Sequence, residues 1–386
     1  SIDILRQLKQ HGVVLAYENS KLVSKAEKGK LTPELIALIK ENKSEIVHLL
    51  EASQSVEQVM VLPELNPNSG NRTKLSYGQK RLWLLDQLQQ GSSQYNMPCA
   101  FMIKGNVKLK ELEHAFQQVL ERHSALRTCI DLVDGEAVIT ELAASSFKLV
   151  ITDAGSDSVS QHMSDFFSAS FNLKADLMLK AQVLILQEEK AVLMINMHHI
   201  ASDGWSIDVF NQELLAFYHS NVTGEVAQLS TLDLSYLDYA AWQQDVLTGE
   251  NLERLSHYWQ HRLKGAPECH SLSLDHPRPA KFDPRGDKVV IKLEEQLKAD
   301  IQAYCLASGI SLNHFLKAAY LLLIQRFSDE KEIVIGSPVA NRPLKEMANM
   351  VGFFVNSLPF KLDFNGITTV ESLLEAVKQH EVLDIE

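Results

Sequence analysis

The spacing of apolar and polar residues predicts a strand, a turn and a helix near the middle of the chain. Residues 191–197 are apolar and β-compatible, and residues 207–218 place their apolar side chains at helical spacing. The string HHIASDGWS at 198–206 lies between them and is predicted to form the turn. Adjacent side chains on a strand point to opposite faces, so His198 and His199 are expected to serve different purposes.

The first 52 residues carry a different pattern, which predicts a small αββαα module. Its predicted elements are a helix at 4–8, strands at 13–17 and 22–26, a helix that begins at 32–34, and a helix at 44–50. The sequence TPE at 32–34 is a typical helix start, because threonine caps a helix and proline fits its first turn. Residues 53–72 include the string PELNPNSGN, which is typical of irregular structure, so this segment is predicted to be a linker.

Composition limits what the chain can do. With 45% hydrophobic and 22% charged residues among 386, the chain can form large cores. Its four cysteines, at positions 99, 129, 269 and 305, have no paired spacing, which favours reduced thiols in a cytoplasmic protein. The net charge of −12 disfavours nucleic-acid binding, and no apolar run approaches the roughly 20 residues of a membrane span. We therefore expect neither nucleic acid nor membrane among its partners.

Three interpretations fit the string HHIASDGWS taken alone. The two histidines can be buried structural residues beside a capping aspartate. They can also be metal ligands, although their opposed directions and the lack of a clear third ligand argue against zinc, so no metal is expected. In the third interpretation His199 is catalytic, Asp203 is structural and Gly204 lets the backbone approach a reacting group. The wider pattern of the chain decides among them.

Five segments of the larger region carry a family resemblance. In chain order they are LSYGQKRLWLL at 75–85, RHSALRTCI at 122–130, HHIASDGWS at 198–206, YLDYAAW at 236–242 and VGFFVNSLP at 351–359. Together they resemble the condensation domains of nonribosomal peptide synthetases. The resemblance implies an α/β fold of the α+β kind, with two chloramphenicol-acetyltransferase-like lobes at 73–235 and 236–386. The late motifs of that family do not appear before Glu386, so the second lobe is expected to be incomplete.

The resemblance also implies a reaction and the residues that perform it. The amine of a carrier-bound aminoacyl thioester attacks a donor acyl or peptidyl thioester, and the chain looks most like the subtype that joins two L-configured residues. His199 would orient the amine and take its proton as the bond forms, while Gly204 would offer its backbone N–H. Both phosphopantetheine arms would belong to separate donor and acceptor carrier domains, so no bound cofactor is expected.

Other residues receive supporting roles under this resemblance. His198 is expected to be structural, and Asp203 is expected to hold the loop through a salt bridge with Arg342. The apolar residues of the flanking motifs, among them WLL at 83–85, are expected to be buried. The candidate substrate-contacting residues are Trp205, Asn356 and Ser357.

The N-terminal module resembles the tubulysin-type docking domains that open some synthetase subunits. Alternation along the second predicted strand places Lys21, Val23 and Lys25 on one face, with Lys28 and Lys30 just beyond. These residues form either an ordinary solvated face or a docking surface for the acidic C-terminal tail of an upstream subunit. In the second case the tail would add to the strand edge and the lysines would contact its charges.

Two other functions remain open from the sequence. An epimerisation domain or an ester-forming acyltransferase could use the same histidine motif, whereas heterocyclisation relatives replace it with aspartates. The chain could also be a noncatalytic platform that recruits carriers, although the presence of His199, Asp203 and Gly204 argues against this.

Overall fold

The computed structural model describes residues 13–18 and 21–26, the single positions 32, 35, 39 and 43, and most of 74–385. Within the last range, positions 90, 155–157, 188, 278–279, 281–285 and 288 are not described. The chain forms two compact units, Ser1–Pro63 and Glu64–Ile385, and their boundary falls inside the predicted linker.

The described part of the first unit contains an antiparallel hairpin. β1 (Val13–Glu18) pairs with β2 (Lys21–Ala26), and each strand is one residue longer than predicted. The N–H of Leu35 donates to Thr32 Oγ1 at 3.4 Å, so the predicted N-cap is confirmed. The predicted helices at 4–8 and 44–50, together with Lys28 and Lys30, lie outside the described residues.

The second unit is built around a four-stranded mixed sheet in the order β3–β8–β7–β6. Its strands are β3 (Asn96–Lys104), β6 (Val150–Asp153), β7 (Leu179–Gln187) and β8 (Lys190–His198). β8 is antiparallel to β3 and β7, whereas β6 is parallel to β7. Every residue of β8 after Lys190 is buried, as its continuous apolar run predicts for a strand covered on both faces. The sheet thus presents the histidine motif at the end of a buried central strand.

Helices and a hairpin accompany this sheet. They are α1 (Tyr77–Gln89), α2 (Leu109–Arg122), β4 (Thr128–Val133), β5 (Glu136–Glu141), α3 (Val159–Ser168) and α4 (Gly204–Thr223). α2 packs against α4, with the rings of Phe116 and Phe210 at a centroid distance of 6.0 Å. α4 extends beyond the predicted range of 207–218 at both ends. It begins earlier because Asp203 caps it, and it ends at Gly224, whose φ of 80° suits a glycine C-cap.

The rest of the unit is a two-stranded sheet with helices. Its elements are α5 (Tyr236–Val246), α6 (Gly249–Arg262), α7 (Glu295–Ser308), α8 (Leu312–Ser328), β9 (Glu332–Val339), β10 (Asn356–Asp363) and α9 (Val370–Ile385). β9 and β10 are antiparallel, and Phe360 of β10 shares a core cluster with Val377 of α9. A partly buried ion pair between Arg262 and Asp384, 2.8 Å from Nε to Oδ1, joins α9 to α6.

Across the described residues no single helix has both the length and the apolar character that a membrane span needs. The pair α7 and α8 meets those criteria of length and composition together, but it is bent by 108°.

Candidate active site

The residues of HHIASDGWS belong to three consecutive secondary-structure elements. β8 ends at His198, a 3-10 turn spans His199–Ala201, and α4 begins at Gly204. The prediction that strand alternation separates the two histidines is therefore wrong, because His199 opens the turn. Their surroundings nevertheless differ, since His198 is buried and His199 is partly exposed.

His198 belongs to the interior of the unit. Its Nδ1 accepts a hydrogen bond from the N–H of Ile200 at 3.1 Å, and its ring makes T-shaped contacts with Phe171 and Tyr95. Burial, with a smaller contribution from the charge of neighbouring His199, lowers the pKa of His198 from 6.5 to about 4. The ring is therefore neutral at pH 7, with its proton on Nε2.

The imidazole of His199 makes one hydrogen bond within the turn that it opens. Its Nδ1 lies 2.8 Å from the carbonyl oxygen of Ser202. A carbonyl only accepts hydrogen bonds, so Nδ1 carries a proton and, in the neutral ring, the lone pair is on Nε2. The ring also meets Phe353 in a T-shaped contact with a centroid distance of 5.0 Å. This tautomer is the one in which Nε2 can accept a proton.

Gly204 is the first residue of α4 and follows His199 by five positions in the chain. The N–H groups in the first turn of a helix have no intrahelical acceptor, and they carry the positive end of the helix dipole. Gly204 is exposed, and a Cβ added to it would meet no atom within 4 Å. Neither packing nor a positive φ therefore accounts for the glycine, and the space beside it is open.

Asp203 caps α4 and is 1% exposed. Its Oδ1 accepts from the backbone N–H of Ser206 at 2.8 Å. Its Oδ2 accepts from the N–H groups of Phe354 and Val355 at 3.1 and 3.2 Å. Arg342 Nη2 lies 3.1 Å from Oδ1, so the predicted salt bridge is present. The carboxylate thus joins the histidine turn to the segment before β10. The sequence predicted only its salt bridge with Arg342, and its bonds to the two backbone N–H groups were not predicted.

Arg342 is buried with its carboxylate partner. Its Nη1 donates to the carbonyl groups of Met347 and Met350, and its guanidinium lies 4.0 Å from the ring centroid of Phe354. Burial lowers the pKa of Arg342, and the charge of Asp203 opposes that change. A planar guanidinium with several fixed donors suits this position better than a lysine would.

Side chains from two other motifs hold the start of the segment 351–355. His123 Nδ1 accepts from the N–H of Val351 at 3.4 Å, and Ser206 Oγ accepts from the N–H of Gly352 at 3.1 Å. These bonds span more than a hundred positions in the chain. The backbone of VGFFVNSLP is therefore fixed by residues of RHSALRTCI and HHIASDGWS.

Tyr236 holds the middle of the same segment. Its hydroxyl donates to the carbonyl of Phe353 at 2.6 Å and accepts from Ser76 Oγ at 2.8 Å. A Cβ on Gly352 would lie 2.0 Å from the Tyr236 ring, so only glycine fits there. Sequence reasoning assigned YLDYAAW to packing, and the backbone contact of Tyr236 was missed.

Glu213 is a buried carboxylate that sequence reasoning did not single out. Arg122 Nε donates to it at 2.9 Å, and His123 Nε2 lies 2.7 Å from its other oxygen. Burial alone would raise the pKa of Glu213, but the hydrogen bonds and charges of His123 and Arg122 lower it. The signal in the sequence was a charged residue between Phe210 and Leu214 on the apolar stripe of α4.

α1 contacts the turn that carries His199. Gln79 Nε2 donates to the carbonyl of Ile200 at 3.3 Å. Of the residues 83–85, which were predicted to be buried, Trp83 and Leu85 are partly buried, whereas Leu84 is 55% exposed. The prediction is wrong for Leu84 because it lies about 200° around the helix from buried Leu82.

The three candidate substrate-contacting residues are all exposed. Trp205 is 49% exposed and donates from Nε1 to the carbonyl of Ala348 at 2.8 Å, which fixes the indole beside Gly204 in the chain. Asn356 and Ser357 begin β10, and Asn356 Oδ1 accepts from the N–H of Ser357. Their contact with substrate stays a prediction.

A cavity of about 440 Å³ lies between the end of α1 and the loop at 170–176. Neither His199 nor Gly204 lines it, and Phe171, which does, packs against His198. Phe171 therefore separates the cavity from His198, and His199 does not line the cavity.

Residues 70–385 match the family model for the condensation domain. The chain belongs to the condensation domain family. Residues 2–52 match the TubC N-terminal docking domain, so a docking domain precedes the condensation domain in this chain. Both resemblances drawn from the sequence are confirmed, as is the mixed α/β fold.

The curated relatives of this condensation domain are large synthetases. The chain is 34% identical over 334 residues to malpinin synthetase of Mortierella alpina, a match that covers 85% of this chain and 4% of that protein. It is 29% identical over 380 residues to bacitracin synthase 2 of Bacillus licheniformis, with coverages of 98% and 14%. The chain therefore spans only a small part of the length of the curated relatives that it matches.

Solved structures share the fold of the larger unit. The complex of the X-domain and OxyB from teicoplanin biosynthesis has a TM-score of 0.74 at 25% identity, covering 84% of this chain and 73% of that one. A structure of condensation domain-mediated chain release from the enacyloxin polyketide synthase has a TM-score of 0.73 at 20% identity, with coverages of 99% and 75%.

Proposed function

We propose that this condensation domain forms an amide bond between two carrier-bound thioesters. The amine of the acceptor aminoacyl thioester attacks the carbonyl carbon of the donor acyl or peptidyl thioester, the C–N bond forms and the donor thiol leaves. The observation that carries the proposal is the His199 tautomer, in which Nδ1–H bonds to the Ser202 carbonyl and Nε2 is left to accept a proton.

His199 would act on a nucleophile that is already partly active. A free α-amine has a pKa of about 7.7–8, so a useful fraction is neutral near pH 7. The imidazole therefore orients the amine, takes the proton released as the C–N bond forms, and returns it to the departing thiolate. The N–H of Gly204, at the positive end of α4, would stabilise the negative charge on the carbonyl oxygen.

The substrates would arrive on phosphopantetheine arms of separate donor and acceptor carrier domains. The resemblance to bacitracin synthase 2 supports this arrangement. We place the docking domain at 1–52, the linker at 53–72 and the two lobes at 73–235 and 236–386. The two family matches support the separation of the docking domain from the condensation domain. We also propose that the protein works in the cytoplasm and joins two L-configured residues.

The reaction class is tested with loaded carriers. The chain is incubated with a donor aminoacyl carrier and with an acceptor carrier that bears either an amine or a hydroxyl nucleophile. Amide on the acceptor carrier, identified by mass, supports condensation. Ester on the hydroxyl acceptor alone would favour the ester-forming alternative, and a change of donor configuration without transfer would favour epimerisation.

A second candidate function is a noncatalytic recruiting platform. The likeness to the X-domain in its complex with OxyB favours it, because that complex shows the fold in a binding role. Carrier binding at an ordinary affinity without any amide, ester or epimer product would support the platform and contradict condensation.

The docking domain would recruit the upstream synthetase subunit. We propose that the acidic C-terminal tail of that subunit adds to the hairpin along β2, where Lys21, Val23 and Lys25 occupy alternate positions. Lys28 and Lys30 follow the strand in sequence and would extend the same basic stretch.

A further inference from the structure

The ring of Phe353 lies against the imidazole of His199. The centroids are 5.0 Å apart with an interplanar angle of 72°, and Phe353 is 6% exposed. The backbone at this position cannot easily withdraw the ring, because Tyr236 binds the carbonyl of Phe353 and Asp203 binds the next N–H group. Phe353 is thus a ring with a fixed backbone that contacts His199.

The same ring also contacts α1. A Cβ added to Gly78 would lie 3.0 Å from Cδ1 and Cε1 of Phe353. Gly78 is in the first turn of the helix, and the missing side chain there lets the ring lie directly on the helix. Phe353 therefore contacts both Gly78 of α1 and the imidazole of His199.

A second contact is needed to hold the orientation of the imidazole. The terminal torsion of histidine is broad and roughly two-fold, so one hydrogen bond to Ser202 leaves the ring free to rock. A perpendicular aromatic contact adds directional attraction and blocks that motion. We propose that Phe353 is a positioning residue that holds His199 with Nδ1 on Ser202 and Nε2 toward the reacting amine. This inference rests on the proposed condensation reaction.

The test compares Phe353→Leu with Phe360→Leu in the whole chain. Phe360 is a buried ring of β10 that packs in the core with α9, so its truncation costs packing without touching His199. Two quantities are measured, kcat and KM with loaded carriers and the ¹⁵N signals of the imidazoles in histidine-labelled protein. The His199 signals are identified by their loss in His199→Gln.

For Phe353→Leu we expect kcat to fall about tenfold to a hundredfold, with KM changed less than twofold, since a small misplacement of a reacting group lowers the rate. The His199 nitrogen signals move toward the average of the two tautomers, and Phe360→Leu leaves those signals unchanged. The conservative variant Phe353→Tyr keeps the ring, so its His199 signals and its kcat should stay near the wild-type values. Unchanged His199 signals in folded Phe353→Leu overturn the proposal, and so do altered signals with an unchanged kcat.

A second experiment perturbs the ring without removing it, so its first arm stands even where Phe353→Leu fails to fold. Gly78→Ala presses on the Phe353 ring in the wild-type background, but the contact disappears when residue 353 is leucine. Gly78→Ala should therefore perturb the His199 signals in the wild-type background and have little further effect beside Phe353→Leu. If Gly78→Ala changes the His199 signals equally in both backgrounds, the proposal that Gly78 acts on His199 through the Phe353 ring is overturned. If the wild-type chain forms no amide, the proposed function fails while the nitrogen signals still decide whether Phe353 positions the ring.

Discussion

Asp203 and Arg342 stand 139 positions apart in the chain, and their side chains meet at 3.1 Å with both almost fully buried. The carboxylate also caps α4 and accepts two backbone N–H groups of the segment before β10. One side chain therefore fixes the turn that carries His199 relative to the segment that carries Phe353. The pair is part of the frame of the site and is expected to act on its geometry.

Removing this carboxylate should unfold the chain more readily. Asp203→Ala leaves the buried Arg342 charge without its partner, so we expect the free energy of unfolding to fall by about 3–5 kcal/mol. Urea unfolding measures the change. Asp208→Ala, an exposed acid on the same helix, serves as the control and should stay within about 0.5 kcal/mol of wild type. An Asp203→Ala protein of normal stability but low activity would instead assign the aspartate a direct chemical role.

His198 should make stability depend on pH. Its pKa is depressed from 6.5 to about 4, so the unfolded chain takes up a proton before the folded chain does. Stability from this group is complete above pH 6.5 and is lost as pH falls toward 4, by about 3 kcal/mol in all. His198→Asn should be less stable at pH 7 and should lose less stability on acidification. His257→Asn, at an exposed position of α6, should keep the wild-type slope. Identical slopes for wild type and His198→Asn would contradict the assignment.

Two glycines of the site should respond to alanine in opposite ways. Gly352→Ala places a Cβ 2.0 Å from the Tyr236 ring, so overpacking should cost about 3 kcal/mol of unfolding free energy. Gly204→Ala meets no atom within 4 Å and should keep its stability, while its methyl group obstructs the reacting groups and lowers the condensation rate. Thermal melts and turnover on both variants test this. Turnover by Gly204→Ala at the wild-type rate would contradict the proposal that the reacting groups lie against Gly204.

The docking proposal predicts loss of a salt-dependent contact. Lys21→Glu with Lys25→Glu should weaken binding of the C-terminal peptide of the upstream protein to the whole chain and reduce its salt dependence, since screened charge contacts disappear. Calorimetry at two salt concentrations measures both effects. A peptide with its acids changed to lysines should recover binding to the doubly substituted chain. Unchanged affinity after the double reversal would mean that the lysines are only a solvated face.

The sequence predicted the parts of this protein that depend on local patterns. The hairpin, the cap at Thr32, the buried strand before His198 and the helix after Gly204 all follow from alternation, helical spacing and capping. Ordered motifs predicted the family, and through it the pairing of Asp203 with Arg342.

Such local patterns cannot predict contacts between segments that are distant in the sequence. Nothing near Tyr236 in sequence indicates that its hydroxyl binds the carbonyl of Phe353, because the two lie 117 positions apart. The role of Gly78 appears only when the ring that it touches is in place. The 3-10 turn that begins at His199 was likewise not predicted, because strand alternation was applied to both histidines although the strand ends at His198.

The most direct test of the account is single-turnover condensation by His199→Ala with loaded donor and acceptor carriers. Loss of the orienting and proton-accepting imidazole should lower the rate by a factor on the order of 10²–10⁴, while carrier binding and the melting temperature stay near wild-type values. His257→Ala, at the exposed position on α6, should condense at the wild-type rate. Amide formation by His199→Ala at the wild-type rate would contradict the assignment of His199 as the catalytic residue.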